Sequence, residues 1–160
     1  MNFRLIFALL AGAAAATPAA AQEPYTFLKQ PNWSAAGVTT DAVHFYFCAV
    51  KGDGHGGENV WLQVWRPDGP TEVVTVMLGE GHAPTSAAFE IDGIRYPLEE
   101  RDTGEFQTPE AGSGVVIDAM QRGHKLVLQL QGTSAAESFA YDLGGFAEAR
   151  AAVAKSCGHS

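Results

Sequence analysis

The most regular alternation of apolar and polar side chains lies in the last quarter of the chain. Leucines occupy every second position over 126–130, and residues 138–143 repeat the pattern with Phe139, Tyr141 and Leu143. A period of two predicts one strand with an apolar face in each segment. The polar linker 132–137 is flexible enough to reverse the chain, so we expect the two strands to pair antiparallel.

Beyond a pair of glycines, the apolar period changes from that of a strand to that of a helix. The residues that recur at helical spacing on one face are Phe146, Ala149, Val153 and Cys157. The segment is also rich in alanine, which has the highest helix propensity. The pattern predicts a C-terminal helix over 146–156.

The segment 114–122 carries signals for both kinds of element. Three consecutive β-branched residues at 115–117 favour a strand. Ser113 as a cap, the helical spacing of Met120 after Val116, and Gly123 as a stop favour a short helix. Of the two we predict a short helix near 114–122.

Strand patterns also fill the first half of the mature chain. Both faces of residues 42–51 are apolar, which predicts a central strand. Further strands are predicted over 33–40, with an interruption at Gly37, and over 60–66, 71–78, 87–91 and 94–98. Asp92-Gly93 is a strong hairpin signal. The acidic segment 99–112, with one proline and two glycines, predicts a mobile surface loop.

Short strands at regular spacing suggest a sandwich or a barrel. We predict a mainly β fold, an antiparallel β-sandwich of about seven to eight strands with a short helix near 114–122 and a C-terminal helix over 146–156. The domain would be a single one over 33–160, preceded by an irregular, proline-containing lead-in over 22–32.

The first residues have the pattern of a signal peptide. Arg4 is followed by an apolar run over 5–16, then by Thr17-Pro18 and three alanines at 19–21. The run is shorter than the ~20 residues that a bilayer-spanning helix needs. We therefore expect a cleaved Sec-type signal over 1–21 and a periplasmic or secreted, surface-exposed protein. No cysteine follows the run, so a lipoprotein is not expected, and no later segment predicts a transmembrane anchor.

Charge and cysteine content narrow the choice of partners. The chain has 18 acidic and 10 basic residues and a formal net charge of −8, which argues against nucleic acids and anionic lipids as partners. In an oxidising compartment the two cysteines, Cys48 and Cys157, are most simply one disulfide. Metal binding or thiol catalysis is the less favoured reading, because neither cysteine has a nearby second cysteine.

No motif for catalysis or for a cofactor emerges from the loops. Glycines at 52, 54 and 57 match a dinucleotide fingerprint, but a strand follows where the motif needs a helix. The same loop lacks the alternating oxygen ligands of a calcium site. The five histidines show no zinc spacing, and Ser86 or Ser138 with His82 lacks a nucleophile elbow. The acidic residues over 99–105 are typical of a solvated surface. We expect neither a metal nor another cofactor.

Aromatic residues form the strongest candidate for a binding face. Trp61 and Trp65 alternate with Leu62 and Val64, with Gln63 between the two tryptophans. Tryptophans at positions i and i+4 of a strand stand roughly 13 Å apart. If exposed, they would form a stacking platform for sugar rings or a partner chain; if buried, they would fill the core. Because both faces of this strand are apolar, burial of both tryptophans is the favoured reading and the exposed platform is the alternative.

His44 and Tyr46 on the preceding strand complete this candidate face. They would lie beside Trp61, Gln63 and Trp65 if the two strands pair.

The C-terminal quarter resembles the invasion-associated locus B family of exported proteobacterial proteins. The matching features are Ala119-Met120-Gln121-Arg122-Gly123, the strand 125–131, the phrase Tyr141-Asp142-Leu143-Gly144-Gly145-Phe146 with Ala149, and the late Cys157. The early Trp33 and Cys48 agree with it, although the chain lacks the second early cysteine that members usually carry. Residues 53–109 show nothing diagnostic.

The resemblance implies a periplasmic or surface-exposed, non-enzymatic β-rich domain, linked in some members to host-cell interaction. The leading hypothesis is therefore an exported, non-catalytic binding module of the bacterial cell envelope, whose partner is an envelope or host-surface protein. A glycan- or peptidoglycan-binding module is the first alternative. An envelope enzyme of unknown class is the second.

Overall fold

A computed structural model describes residues 25–39, 45–52, 60–65, 72–132 and 136–157 of the chain. Within these ranges, the side chains of residues 38–39, 45–47, 60–61 and 65 are outside the description. The predicted signal peptide over 1–21 lies outside the described residues and stays a prediction.

The described chain forms eleven strands and two α-helices. The strands are β1 (Tyr25–Lys29), β2 (Trp33–Thr39), β3 (Phe45–Gly52), β4 (Val60–Trp65), β5 (Val73–Leu78), β6 (Pro84–Ile91), β7 (Ile94–Pro97), β8 (Glu99–Asp102), β9 (Glu105–Gln107), β10 (Lys125–Gly132) and β11 (Ala136–Asp142). The helices are α1 (Ser113–Arg122), which follows a 3₁₀ turn at Glu110–Gly112, and α2 (Phe146–Cys157).

Two antiparallel sheets make up the architecture. The larger sheet has seven strands in the order β1-β2-β3-β4-β5-β9-β8, and the smaller has four in the order β11-β10-β6-β7. Buried residues of both sheets and both helices form one hydrophobic core. The predicted mainly β, antiparallel sandwich with a short helix and a C-terminal helix is therefore confirmed.

Because side chains along a strand alternate between its two faces, each sheet contributes one apolar face to the core. Leu126, Leu128 and Leu130 of β10 are buried, and the residues between them are partly exposed. In the larger sheet a single row of paired positions crosses five strands and consists of Trp33, Gly52, Leu62, Val76 and Phe106. A Cβ added at Gly52 would lie 3.0 Å from the Trp33 ring, so the glycine makes room for the indole.

Helical spacing selects the buried face of α1. Ser113, Val116, Ile117 and Met120 are buried, and the helix ends at Gly123, whose N–H donates to the Ala119 carbonyl at 2.8 Å. The other helix, α2, buries Phe146, Ala149 and Val153 and packs against β1, β2 and β3. Both helices were predicted within one residue of their observed ends.

Two predicted irregular segments contain regular structure. The lead-in over 22–32 includes β1, which pairs with β2, and β2 continues through Gly37, which pairs with Cys48. The segment over 99–112, predicted as a mobile loop, contains β8, β9 and the 3₁₀ turn. The described residues accordingly form eleven strands, more than the seven to eight that the sequence predicted.

Candidate interaction surfaces

The disulfide predicted from the two cysteines is present. Cys48 and Cys157 are bonded across a sequence separation of 109, with their Cα atoms 6.5 Å apart. The bond joins the end of α2 to β3, on the face where the helix already packs. Both cysteines of the chain are consumed in a structural role, so neither is a free thiol.

A cavity of about 300 Å³ lies beside the disulfide. Its lining consists of Cys48, Glu72, Gln121, Ala147, Arg150, Ala151, Val153, Ala154 and Cys157. Within it the Arg150 Nε donates to a Glu72 carboxylate oxygen at 2.9 Å. Because the two charges neutralise each other and the other walls are mostly small alkyl groups, the cavity offers no unpaired charge to an ionic ligand.

The structure describes only part of the predicted aromatic face. His44, the side chain of Tyr46 and the side chains of Trp61 and Trp65 lie outside the described residues. Gln63 is half-buried, and its Nε2 lies 4.0 Å from the sulfur of Met77. The neighbouring Leu62 and Val64 belong to the core.

The strand register locates the backbone of that face. β3 and β4 pair as expected, with Ala49 opposite Trp65, and on the other side of β4 Trp61 is opposite Met77 and Trp65 opposite Val73. The described pairing of β3 with β4 begins at Ala49, three residues along β3 from Tyr46. The aromatic platform stays a prediction.

His82 and Glu137 form a polar contact between the β5–β6 loop and β11, which the sequence did not suggest. His82 Nδ1 lies 2.8 Å from a carboxylate oxygen of Glu137, and the His82 ring packs edge-on against Phe139 with centroids 5.8 Å apart. His82 and Glu137 are separated by 55 residues. No local motif could have joined them; only the pairing of β11 in the sheet does.

Asp92 connects the β6–β7 turn to the start of β10. It adopts a left-handed φ of 48° in the predicted Asp-Gly turn. Its carboxylate accepts hydrogen bonds from the backbone N–H groups of His124 at 3.1 Å and Lys125 at 3.2 Å. The His124 backbone hydrogen bond is the largest effect on the Asp92 carboxyl, and the pKa of that group is lowered from its ordinary value of 3.8.

Buried polar groups of the described chain serve the fold. Thr108 Oγ1 lies 2.6 Å from Ser113 Oγ, and it accepts from the Val74 N–H at 3.2 Å, connecting α1 to β5. Burial raises the pKa of Tyr141 to about 12, and the Tyr141 hydroxyl has no hydrogen-bond partner among the described residues. The phenol therefore stays protonated at physiological pH.

The alternatives based on metals and acids find no assembled site in the described part of the chain. No group of three histidine, cysteine, aspartate or glutamate side chains there is close enough to hold a metal ion. His82 contacts Glu137 and no described serine. The acidic side chains at 99, 100 and 102 are exposed along β8. None of the helices described here has the length and apolar character needed to cross a membrane.

Comparison of the chain with protein-family models, with curated proteins and with solved structures finds no match. The resemblance to the invasion-associated locus B family therefore stays a prediction.

Proposed function

We propose that the chain is an exported, non-catalytic binding module of the cell envelope whose partner is an envelope or host-surface protein. The observation that supports it best is the Cys48–Cys157 disulfide. Structural disulfides persist in oxidising compartments and are rare in the cytosol. The signal-peptide pattern over 1–21 agrees with the same location.

The described surface also supports binding over catalysis. Several of its ionisable side chains are paired, as His82 is with Glu137 and Arg150 with Glu72, and those of β8 are exposed along an edge of a sheet. A catalytic centre would require titratable groups that converge on a cleft.

Affinity capture tests this proposal. The oxidised mature chain serves as bait in envelope extracts of the producing cells and in host-cell surface extracts, and a chain unfolded by reduction and alkylation is the control. We expect a protein retained by the folded bait alone, which then binds the purified chain at a defined stoichiometry. If no protein passes both steps, or if a substrate screen finds turnover, the proposal is wrong.

Glycan binding is a second candidate, favoured by the exposure near one end of the predicted aromatic face. Met77, opposite Trp61 in the register, is 37% exposed. A tryptophan at a partly exposed position can present an apolar ring together with a polar N–H to a ligand. If this candidate is right, Trp61→Ala should abolish binding to peptidoglycan or glycan fragments and leave the melting temperature nearly unchanged.

The Trp65 end of the same face is expected to differ. Ala49 and Val73, which pair with Trp65, are each only 5% exposed. We therefore expect Trp65→Ala to lower the melting temperature more than Trp61→Ala does. Equal retention of glycans by the wild type and by both variants would remove the tryptophans from the site.

A further inference from the structure

The two sheets have four edge strands, and three of them carry features that oppose pairing with another strand. β8 has only four residues, all of them charged, and β7 has four residues and ends in Pro97. The pairing of β1 is irregular between Thr26 and Leu28. Charges, proline, short length and irregularities are the usual protection of a sheet edge.

The remaining edge strand, β11, is less protected, since only two of its seven residues, Glu137 and Asp142, are charged. It pairs with β10 over seven consecutive positions without an irregularity and contains no proline. Within the described residues, β10 is the only strand hydrogen-bonded to it.

The hydrogen bonds of Lys125 show which backbone groups of β11 face the open side. The Lys125 N–H donates to the Asp92 carboxylate at 3.2 Å, and the Lys125 carbonyl accepts from the Asp92 N–H at 3.3 Å. Both groups therefore point toward β6 and away from Asp142, which is opposite Lys125 on β11.

Because backbone groups of an antiparallel pair alternate in direction, every second residue of β11 faces away from β10. These residues are Ala136, Ser138, Ala140 and Asp142. The Trp33 indole N–H confirms the direction at one end, because it donates to the Asp142 carbonyl at 2.7 Å. Ala136, Ser138 and Ala140 present the remaining N–H and C=O groups.

Among the described residues, the side chains along the open stretch of this edge do not obstruct a neighbouring strand. The side chains of Ala136, Ser138 and Ala140 are small and exposed. On the opposite face of β11, Phe139 is half-buried beside His82, and it offers an apolar surface to a neighbouring strand.

Charge decides between a second copy of the chain and a different protein. Glu137 is exposed at one end of the open stretch and contacts His82. Asp142 lies at the other end, where the Trp33 indole covers its carbonyl and the Gly144 N–H donates to its carboxylate. A second copy would add another chain of net charge −8, whereas a basic segment is attracted by the same field.

We propose that β11 is a strand-addition site that binds an extended, basic segment of a partner protein. In an antiparallel arrangement, the backbone of the segment pairs with Ser138 and Ala140. An apolar side chain meets Phe139, and a lysine or arginine side chain lies opposite Glu137. This recognition mode takes its affinity from main-chain hydrogen bonds and its specificity from alternate side chains. The inference rests on the proposed binding function and assigns it a surface and a class of ligand.

The register specifies a probe peptide. If one apolar residue is opposite Phe139, the residue two positions later is opposite Glu137. The residues immediately before and after the apolar residue pair with Ala140 and Ser138. The acetylated and amidated peptide Lys-Thr-Thr-Val-Thr-Lys satisfies this spacing. Matched controls are the peptide with both lysines replaced by glutamate and the peptide N-methylated at the amides that would pair with Ser138 and Ala140.

Binding of the probe to the oxidised mature chain is measured by NMR titration and by amide hydrogen exchange. We expect the Ser138 and Ala140 amides to exchange rapidly in the chain alone and to become protected when the peptide binds. Neither control peptide should produce this protection. Binding of the lysine peptide without protection at Ser138 and Ala140 would overturn the proposal, and so would the absence of binding.

Ser138→Pro removes one open-side donor and no hydrogen bond to β10, a position where an edge strand tolerates proline. We expect it to reduce probe affinity at least tenfold with an unchanged circular dichroism spectrum, whereas Ser138→Thr should bind like the wild type. If Ser138→Pro unfolds the chain, Glu137→Gln is the second test and should also weaken binding. Unchanged affinity in the folded variants would contradict strand addition.

The failures of the two proposals are distinguishable. A captured partner that binds wild type and Ser138→Pro equally would leave the binding function and remove β11 as its site. A dimer seen by sedimentation and abolished by Ser138→Pro would show that a second copy occupies the edge, which overturns the basic segment as occupant. If the wild-type chain captures no partner, the proposed binding function is the one that fails.

Discussion

At the residue scale, the indole of Trp33 joins three parts of the fold. It is fully buried, its N–H donates to the Asp142 carbonyl of the smaller sheet, and its ring lies edge-on to Phe146 of α2 with centroids 4.9 Å apart. Gly52 in the adjacent strand leaves space for it. One side chain from the larger sheet therefore fixes the position of the smaller sheet and of the C-terminal helix.

Asp92 makes the free energy of unfolding depend on pH in the acidic range. Its folded-state pKa is lowered chiefly by the His124 backbone hydrogen bond, so its contribution is present above the ordinary carboxyl pKa and is lost as pH falls through the folded value. Asp92→Asn keeps an acceptor and tolerates the left-handed turn. We expect the variant to be less stable than the wild type at pH 6, with the difference shrinking between about pH 5 and pH 3.

Urea unfolding of the two proteins at matched ionic strength measures this difference. A gap that stays constant over the whole acidic range would mean that the carboxylate charge contributes nothing beyond the turn geometry.

The residue-scale contacts were the least predictable from the sequence. The hairpin at Asp92-Gly93 could be predicted because the dipeptide itself favours the turn. The bonds from Asp92 to His124 and Lys125 could not, since they depend on which strand lies beside the hairpin. The contact between His82 and Glu137 could not be predicted either, because the two residues are 55 positions apart and meet only in the folded sheet.

At the scale of elements, the chain is predictable where one period is sustained. The elements β10, β11 and α2 are each at least seven residues long, and the large apolar residues in each follow a single period. The sequence predicted all three. β9 has only three residues and one buried side chain, Phe106. Its strand conformation is stabilised by pairing with β5, which local sequence does not encode. Likewise, the open edge of β11 follows from strand order and not from its own residues.

The glycines at the two ends of α1 differ in the space available for a side chain. A Cβ at Gly114 would meet nothing within 4 Å, whereas at Gly123 it would lie 2.8 Å from the Ala119 carbonyl oxygen and 2.9 Å from the Ile91 side chain. We expect Gly114→Ala to stabilise the chain by about 0.5–1 kcal/mol because alanine favours the helix. Gly123→Ala should destabilise it by about 1–3 kcal/mol through overpacking.

Chemical denaturation of both variants tests the pair together. A loss of stability in Gly114→Ala equal to that in Gly123→Ala would show that the packing around the end of α1 is not what distinguishes them.

At the scale of the whole molecule, the disulfide connects positions far apart in the chain. The chain-entropy model gives a stabilisation of about 4–5 kcal/mol for a loop of this size, whose ends are separated by 109 residues. We expect Cys48→Ser with Cys157→Ser to lower the free energy of unfolding by an amount approaching that figure, because the unfolded chain regains its freedom. Equilibrium unfolding of the oxidised wild type and the double variant measures the change, and equal stabilities would show that the bond is dispensable.

The whole-molecule account depends on the compartment in which the bond forms. The mature chain is expected outside the cytoplasm, where a disulfide persists and where an envelope or host protein can reach β11. Glycan binding by the predicted aromatic face would also require a location outside the cytoplasm, because peptidoglycan and surface glycans are found outside it.

The most direct test is to follow the location and thiol state of the chain in the producing cells. A C-terminally tagged chain is fractionated after free thiols are trapped with a maleimide that increases the mass of reduced chains. The account predicts a shortened chain, cleaved near residue 21, in the periplasmic or secreted fraction and without maleimide. A full-length, doubly labelled chain found only in the cytoplasm would contradict it.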